Sequence, residues 1–434
     1  MKIQTIKKGS EAEAVAFLSN RTEEDFEAAD SAVKKIISRV RKDGDRALYE
    51  LTAEVGGPDA ATVGSLRVSP EEMEEAVKQV EPEVLASFEK AADNIRRFHE
   101  KQLQKTWSYR EGKDILLGQL IRPVKNVGIT IPGGSAPLSS TVLMNVIPAK
   151  IAGCPRVIMC SPAGPDGKVN KYILAAAKAA GADEIYKAGG AQAIAAMAYG
   201  TESVKKVDKI CGPGGMYVSR AKKYVFGTVD IDMIAGPSEV CIIADSSADP
   251  ALLAADMLSQ AEHDVNASSI LITDDSSIAH AAAAETEKQL AILERGEIAS
   301  ESVKNNAAIF ITEDLDSAFK IANEIAPEHL ELEVENPEGY LEKVEYAGAV
   351  LLGKYSPEPL GDYIAGPNHT LPTSGAARFA NPLGVYDFLT RTSIIHYSQE
   401  DLKAVKDDII RMSDVENLTA HGNSIKIRFG QLDY

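Results

Sequence analysis

Basic blocks, cysteine pairs and long apolar runs are what this sequence lacks. Its 434 residues carry a formal net charge of −18 and hold no long stretch of Lys and Arg. That argues against nonspecific nucleic-acid binding, because displacing counterions from phosphates needs clustered cations. The acidic excess reads as a solubilising surface. Cys154, Cys160, Cys211 and Cys241 form no C-x-x-C pair, and each lies in or beside an apolar run, as inert buried thiols do. No run approaches the roughly 18 apolar residues that span a bilayer, and no apolar segment follows the lysines of Met1 to Ser10. The expectation is a cytoplasmic protein with neither membrane nor nucleic-acid partners. The G-x-G-x-x-G nicotinamide fingerprint is missing as well.

What is present suits a large folded core. Hydrophobic residues make up 44% and charged residues 25%, an ordinary globular balance over a length that allows about three domains. From Thr22 to about Glu54, and from Pro70 to about Lys105, apolar residues recur at three and four (Val33, Ile36, Ile37, Val40, Ala47, Leu48, Leu51), which predicts amphipathic helices. After Trp107 short apolar runs alternate with helical stretches: Val127–Ile131, Arg156–Cys160, Glu184–Tyr186 and Lys209–Cys211, then Val240–Ile243, Ser269–Ile272, Ala308–Ile311 and Ala349–Leu352. Such alternation predicts parallel β-α-β packing in two sheets, with ligand in a cleft at the carboxyl ends of the strands. Beyond Gly353 the chain is rich in loops and closes with a predicted helix over 401–418 and a short strand, Ile425–Arg428.

Two turns offer helix N-termini to a phosphate: Gly189-Gly190, and Gly212-Pro213-Gly214-Gly215, where Tyr217 occupies the place of a third fingerprint glycine. Ordinary tight turns between strand and helix are the plainer reading of each. Gln260 and His263, three apart in an Ala-rich helix, share a face and pair an oxygen donor with an imidazole, which is half of a metal site. Asp362 and His421 are further oxygen and nitrogen donors, but spacing does not show that they converge. Ala326-Pro327-Glu328-His329 places a carboxylate beside an imidazole at the predicted first turn of a helix, a pair suited to proton transfer near neutral pH or simply to the helix dipole. His99 and His280 read as structural, and His396 as a core histidine.

Taken in order, these motifs resemble the histidinol dehydrogenase family. The resemblance rests on Ser259-Gln260-Ala261-Glu262-His263, Ile231-Asp232-Met233-Ile234-Ala235-Gly236-Pro237-Ser238-Glu239, Gly189-Gly190-Ala191-Gln192-Ala193, Ala326-Pro327-Glu328-His329-Leu330, Gly361-Asp362-Tyr363 and Gly366-Pro367-Asn368-His369, and it runs from about residue 20 to 430. It implies an enzyme that oxidises L-histidinol through L-histidinal to L-histidine, with two NAD+ and one zinc per site, in a homodimer. Zinc ligands would be Gln260, His263, Asp362 and His421, which would also position the substrate. His329 would be the general base for the alcohol and would touch substrate, and Glu328 would activate water on the aldehyde. Ser238 and Glu416 would contact substrate, His369 would reach the neighbouring subunit's site, and Gln192 would contact NAD.

The fold class expected is α/β. An N-terminal segment (1–22) would precede a first Rossmann-like domain (23–126 with 236–383) carrying zinc and the catalytic residues. A second such domain (127–235) would carry the NAD contacts, and a C-terminal tail (384–434) would pack across the dimer. Two positions depart from the family. Thr130 stands before Pro132-Gly133-Gly134 where an aromatic residue is usual, and Gly215 replaces an Asn. Both belong to the NAD contacts, so nucleotide affinity or preference is where this chain would differ. A sister dehydrogenase for another small polar alcohol, and a zinc-dependent binding protein without NAD turnover, are the alternative readings.

Overall fold

A computed structural model describes residues 1–12, 14, 26–112, 114–133 and 137–431. Thr22 and Gly134 therefore lie outside the described residues. The chain divides into two compact units, Met1–Gln102 with Val124–Phe388, and Leu103–Pro123 with Leu389–Tyr434.

The first unit is built on two parallel sheets. One has the order β6-β5-β4-β7-β8, from β4 (Asn126–Thr130), β5 (Arg156–Cys160), β6 (Glu184–Tyr186), β7 (Lys209–Cys211) and β8 (Asp230–Ile231). The other has the order β1-β11-β10-β9-β12-β13, from β1 (Lys2–Thr5), β9 (Glu239–Ala244), β10 (Ser268–Thr273), β11 (Ala307–Ile311), β12 (His329–Glu333) and β13 (Ala349–Leu352). Their strands are nearly continuous apolar runs because both faces are covered. Val240, Ile242, Leu271 and Ile309 pack under one set of helices, while Cys241, Ile243, Ile270 and Phe310 pack under the other. In each sheet the chain winds outward one way and then the other. The order reverses between β4 and β7 in the smaller sheet and between β9 and β12 in the larger.

The second unit joins β2 (Trp107–Glu111), β3 (Ile115–Pro123) and β14 (Leu389–His396) in an antiparallel sheet, with helices Gln399–Val415 and Thr419–Lys426. Sequence periodicity had pointed only to the two parallel sheets. In this third one β2 is exposed along its whole length, whereas β3 is a largely apolar, half-buried run that the alternation of strand and helix does not account for.

Several expectations need correction. Ile425–Arg428 is no strand; it completes a helix and continues into a 3-10 turn (Ile427–Phe429), since a lone strand would leave its main chain unpaired while the helix pairs it internally. Pro327 does not open a helix. The preceding helix, Leu315–Ile325, ends on Ala326 in the left-handed region, and His329 begins β12 instead. His396 is an exposed strand residue, not a core histidine. The helical block after Pro70 is two helices, Pro70–Lys78 and Pro82–His99. Each takes proline in its first turn, where the missing N–H costs nothing.

Candidate active site and metal centre

The catalytic candidates sit where β12 starts. Parallel pairing sets His329 against Val240 of β9, and this register brings the Glu239 main chain to both acid and base. The Glu239 N–H donates to Glu328 Oε2 at 2.9 Å, and His329 Nδ1 lies 3.2 Å from the Glu239 carbonyl. A carbonyl only accepts, so Nδ1 carries a ring proton and Nε2 is the nitrogen that gains or loses the second one. Nε2 lies 3.8 Å from Asp362 Oδ1.

Around that carboxylate gather the other donors. Helix Pro250–Ala261 forms because Asp249 caps it by accepting from the Ala251 N–H and Pro250 occupies the first turn. Its last turn carries Gln260, and the His263 N–H bonds the Gln260 carbonyl at 3.2 Å just past its end. The short helix Glu358–Tyr363 carries Glu358 and Asp362 one turn apart. His263, Glu358 and Asp362 each offer a ligand atom within 4.8 Å of the others, a set able to hold a metal ion. Gln260 is fully buried, and neither its Oε1 nor its Nε2 has a hydrogen-bond partner. A buried amide left unpaired is costly, so a ligand there would relieve the cost.

Charge is tightly matched in this pocket. Burial pushes the Glu328 carboxyl up to about 8. Burial also works to lower His329, but the Asp362, Glu328 and Glu358 carboxylates outweigh it and hold the imidazole up at about 10. Glu358 is raised by burial; Asp362 is lowered, because bonding to His329 and the neighbouring imidazoles overcome its burial. His369 is lowered by burial. Its Nδ1–H donates to the Asp362 carbonyl at 3.0 Å, and its Nε2 faces the Thr141 hydroxyl at 3.3 Å.

The acid and base candidates do not stand at the carboxyl ends of their strands. In the smaller sheet Thr130 ends β4 and Gly212 follows β7, at the point where strand order reverses. In the larger sheet, His329 and Glu239 stand at the amino ends of β12 and β9. A cavity of about 360 Å³ does open at that sheet's carboxyl edge, lined by Glu333, Lys354 and Tyr355 among others, but it holds none of the clustered residues. The geometry of acids and imidazoles marks the chemistry; the cavity does not.

Comparisons with known proteins bear on the family. The family model for histidinol dehydrogenase matches residues 19–429. The chain belongs to the histidinol dehydrogenase family. A histidinol dehydrogenase from Caldanaerobacter subterraneus subsp. tengcongensis is 52% identical over 413 residues, covering 95% of each chain. One from Heliobacterium mobile is 50% identical over 398 residues, covering 91% of this chain and 92% of its own. The crystal structure of the Elizabethkingia anophelis histidinol dehydrogenase superposes with a TM-score of 0.89 at 38% identity, over 95% of this chain and 94% of that one.

Membership makes the chain an oxidoreductase acting on a CH–OH group. Gln192 is buried in the helix that starts at Gly190, and Ser238 is half-buried just before β9. Glu416 and His421 are exposed on the second unit. Sequence reading missed Glu358 and the Glu239 main chain. Glu358 had a signal, since it precedes Asp362 by one helical turn. Glu239 had none, because its contribution comes from strand register.

Proposed function

We propose that this chain oxidises L-histidinol to L-histidine through L-histidinal, with two NAD+ per turnover and one zinc ion per site, as a homodimer of histidine biosynthesis. The observation that carries the zinc reading is the unpartnered, fully buried Gln260 amide beside a helix end that presents His263 to Glu358 and Asp362. Gln260, His263, Asp362 and His421 would hold the ion. When bound, zinc supplies a Lewis acid that grips substrate nitrogens and fixes the reacting carbon. Bound NAD+ supplies the hydride acceptor, twice per substrate.

The chain's own groups do the rest. In the first half-reaction the neutral form of His329, the minor form below about 10, takes the alcohol proton on Nε2 as the C–H hydride departs, and the aldehyde forms. The bond from Nδ1 to the Glu239 carbonyl keeps that nitrogen's partner tautomer in place. In the second, Glu328 takes a proton from water as its oxygen adds to the aldehyde carbon. The hydrate then loses its hydride and becomes the acid. Glu328 is held for this by the Glu239 N–H. Ser238, Glu416 and His369 complete the substrate contacts, Glu416 offering a carboxylate to the substrate ammonium, and Gln192 contacts the nucleotide.

A homodimer in which the second unit meets another copy is supported by the large apolar side chains it leaves exposed: Trp107, Tyr109, Ile395, Met412, Val415 and Leu418. Glu416 lies between Val415 and Leu418, and His421 follows Leu418 by three residues. The deciding experiment follows NADH from purified, zinc-loaded protein with L-histidinol and NAD+. Two NADH per histidinol, abolished by chelation and restored by zinc, is the expected result. Turnover of another amino alcohol but not histidinol would reject the substrate, and binding of histidinol and zinc without NADH would reject the reaction.

A further inference from the structure

Asp232 and Lys222 form an ion pair whose side chains are 1% and 3% exposed. Desolvating such a pair generally costs as much as the attraction returns, so it is poor material for stabilising a fold. Its other hydrogen bonds show where it acts. Asp232 Oδ2 accepts from the Gly212 N–H at 2.8 Å, and Lys222 Nζ donates to the Gly212 carbonyl at 3.0 Å. Both main-chain groups of one glycine are gripped by one buried pair. Gly212 has a φ of +111°, and a Cβ there would lie 2.2 Å from the Thr130 carbonyl oxygen. This is the turn at the strand-order reversal of the smaller sheet, and it leads to the N-terminus of helix Met216–Val225.

From Asp232 the chain runs straight to the catalytic pair. Asp232 Oδ1 accepts from the Met233 N–H at 2.6 Å. Ser219, on the helix that follows the turn, donates its hydroxyl to the Ala235 carbonyl at 3.2 Å, and the Gly236 N–H donates to Thr373 Oγ1 at 2.6 Å. The Ser374 N–H donates to Glu239 Oε2 at 3.2 Å, and Glu239 in turn holds Glu328 and His329. One strap, 232–239, is thus anchored to the glycine turn at one end and to the acid and base at the other.

We propose that Lys222 and Asp232 are positioning residues for the dinucleotide: they hold the Gly212 turn against which it lies and, through the strap, register that turn to Glu328 and His329. The inference rests on the NAD reading above, adds Lys222, which lies in no quoted motif, and gives Asp232 a role of its own. An apolar pair, K222M/D232L, removes the charges together and so avoids stranding either one, whereas D232N alone tests the grip on the Gly212 N–H.

The test uses the full-length, zinc-loaded protein. NADH binding is titrated by fluorescence without histidinol, alongside steady-state kinetics, zinc content and thermal unfolding. Both variants are expected to weaken NADH binding and raise KM for NAD+ by about tenfold or more, the scale of lost buried hydrogen bonds. KM for histidinol should stay within about twofold, with zinc unchanged and the double variant's Tm no lower than that of the parent. NADH affinity unchanged in the double variant would overturn the inference while leaving the NAD reading intact. So would a joint fall in Tm and zinc content with a similar rise in KM for both NAD+ and histidinol, which marks a merely structural pair. Failure of the parent protein to bind NADH at all would overturn the NAD reading and this inference with it.

Discussion

At the scale of single residues, the site is decided by which proton sits where. His329→Ala should cut histidinol oxidation by about 10²–10⁴-fold, the usual worth of a positioned base, while zinc content measured by atomic absorption stays at the parent level. Loss of zinc in that variant would contradict the division between proton transfer and metal binding. Glu328 has its carboxyl raised to about 8 by burial, so its basic form predominates only above that value. Oxidation of supplied histidinal should therefore rise with pH and level off beyond about 8, and Glu328→Gln should lose that rise together with the second NADH. These two residues were legible in the sequence as an adjacent acid and imidazole. Their setting was not, because the groups that tune them, the Glu239 main chain, Asp362 and Glu358, are remote in sequence or contribute only backbone.

At the scale of elements, register and turn geometry do the positioning. Gly212→Ala would place a methyl carbon against the Thr130 carbonyl at a positive φ. It should destabilise the protein by on the order of 2 kcal/mol and lower dinucleotide affinity, read by thermal unfolding and NADH titration. Gly215 lies in the same turn with open space around a would-be Cβ, so Gly215→Asn should fold normally and tighten NADH binding if an amide there touches the nucleotide. A second element-scale case is the first residue of β6. The Arg156 guanidinium bonded to Glu184, with help from the Tyr186 hydroxyl, holds that carboxyl down at about 2 against an ordinary 4.5. A lowered folded value gives stability that is fully present above about 4.5 and is lost as pH falls toward 2. Glu184→Gln should therefore flatten the stability profile across that acid window and leave the remaining pH dependence unchanged, measured by chemical denaturation at each pH. The helices and central strands were legible because their periods are strong. The β2, β3 and β14 sheet was not, since β2 and β14 are mostly exposed with little apolar period, which leaves the half-buried β3 without a recognisable partner.

At the scale of the whole molecule, the second unit leaves Met412, Val415 and Leu418 exposed on or beside the same pair of helices that bear Glu416 and His421. Light scattering should give twice the chain mass, and Val415→Glu should shift the protein toward monomer and reduce histidinol turnover together. Monomer with undiminished turnover would reject the homodimer and any need for it. No helix among the described residues is long and apolar enough to cross a membrane, in keeping with the absence of long apolar runs.

The sequence by itself determined the parallel α/β class, the inert buried cysteines and, through motif order, the family, since period, burial pattern and ordered signatures are properties of the chain read locally. Only the tertiary structure decided that the acid and base stand at the amino ends of their strands, that Glu358 joins His263 and Asp362, and that a buried ion pair grips the glycine turn. Each of these depends on which segments pair and in what register, and a one-residue shift in register would send the same side chains to the other face of the sheet.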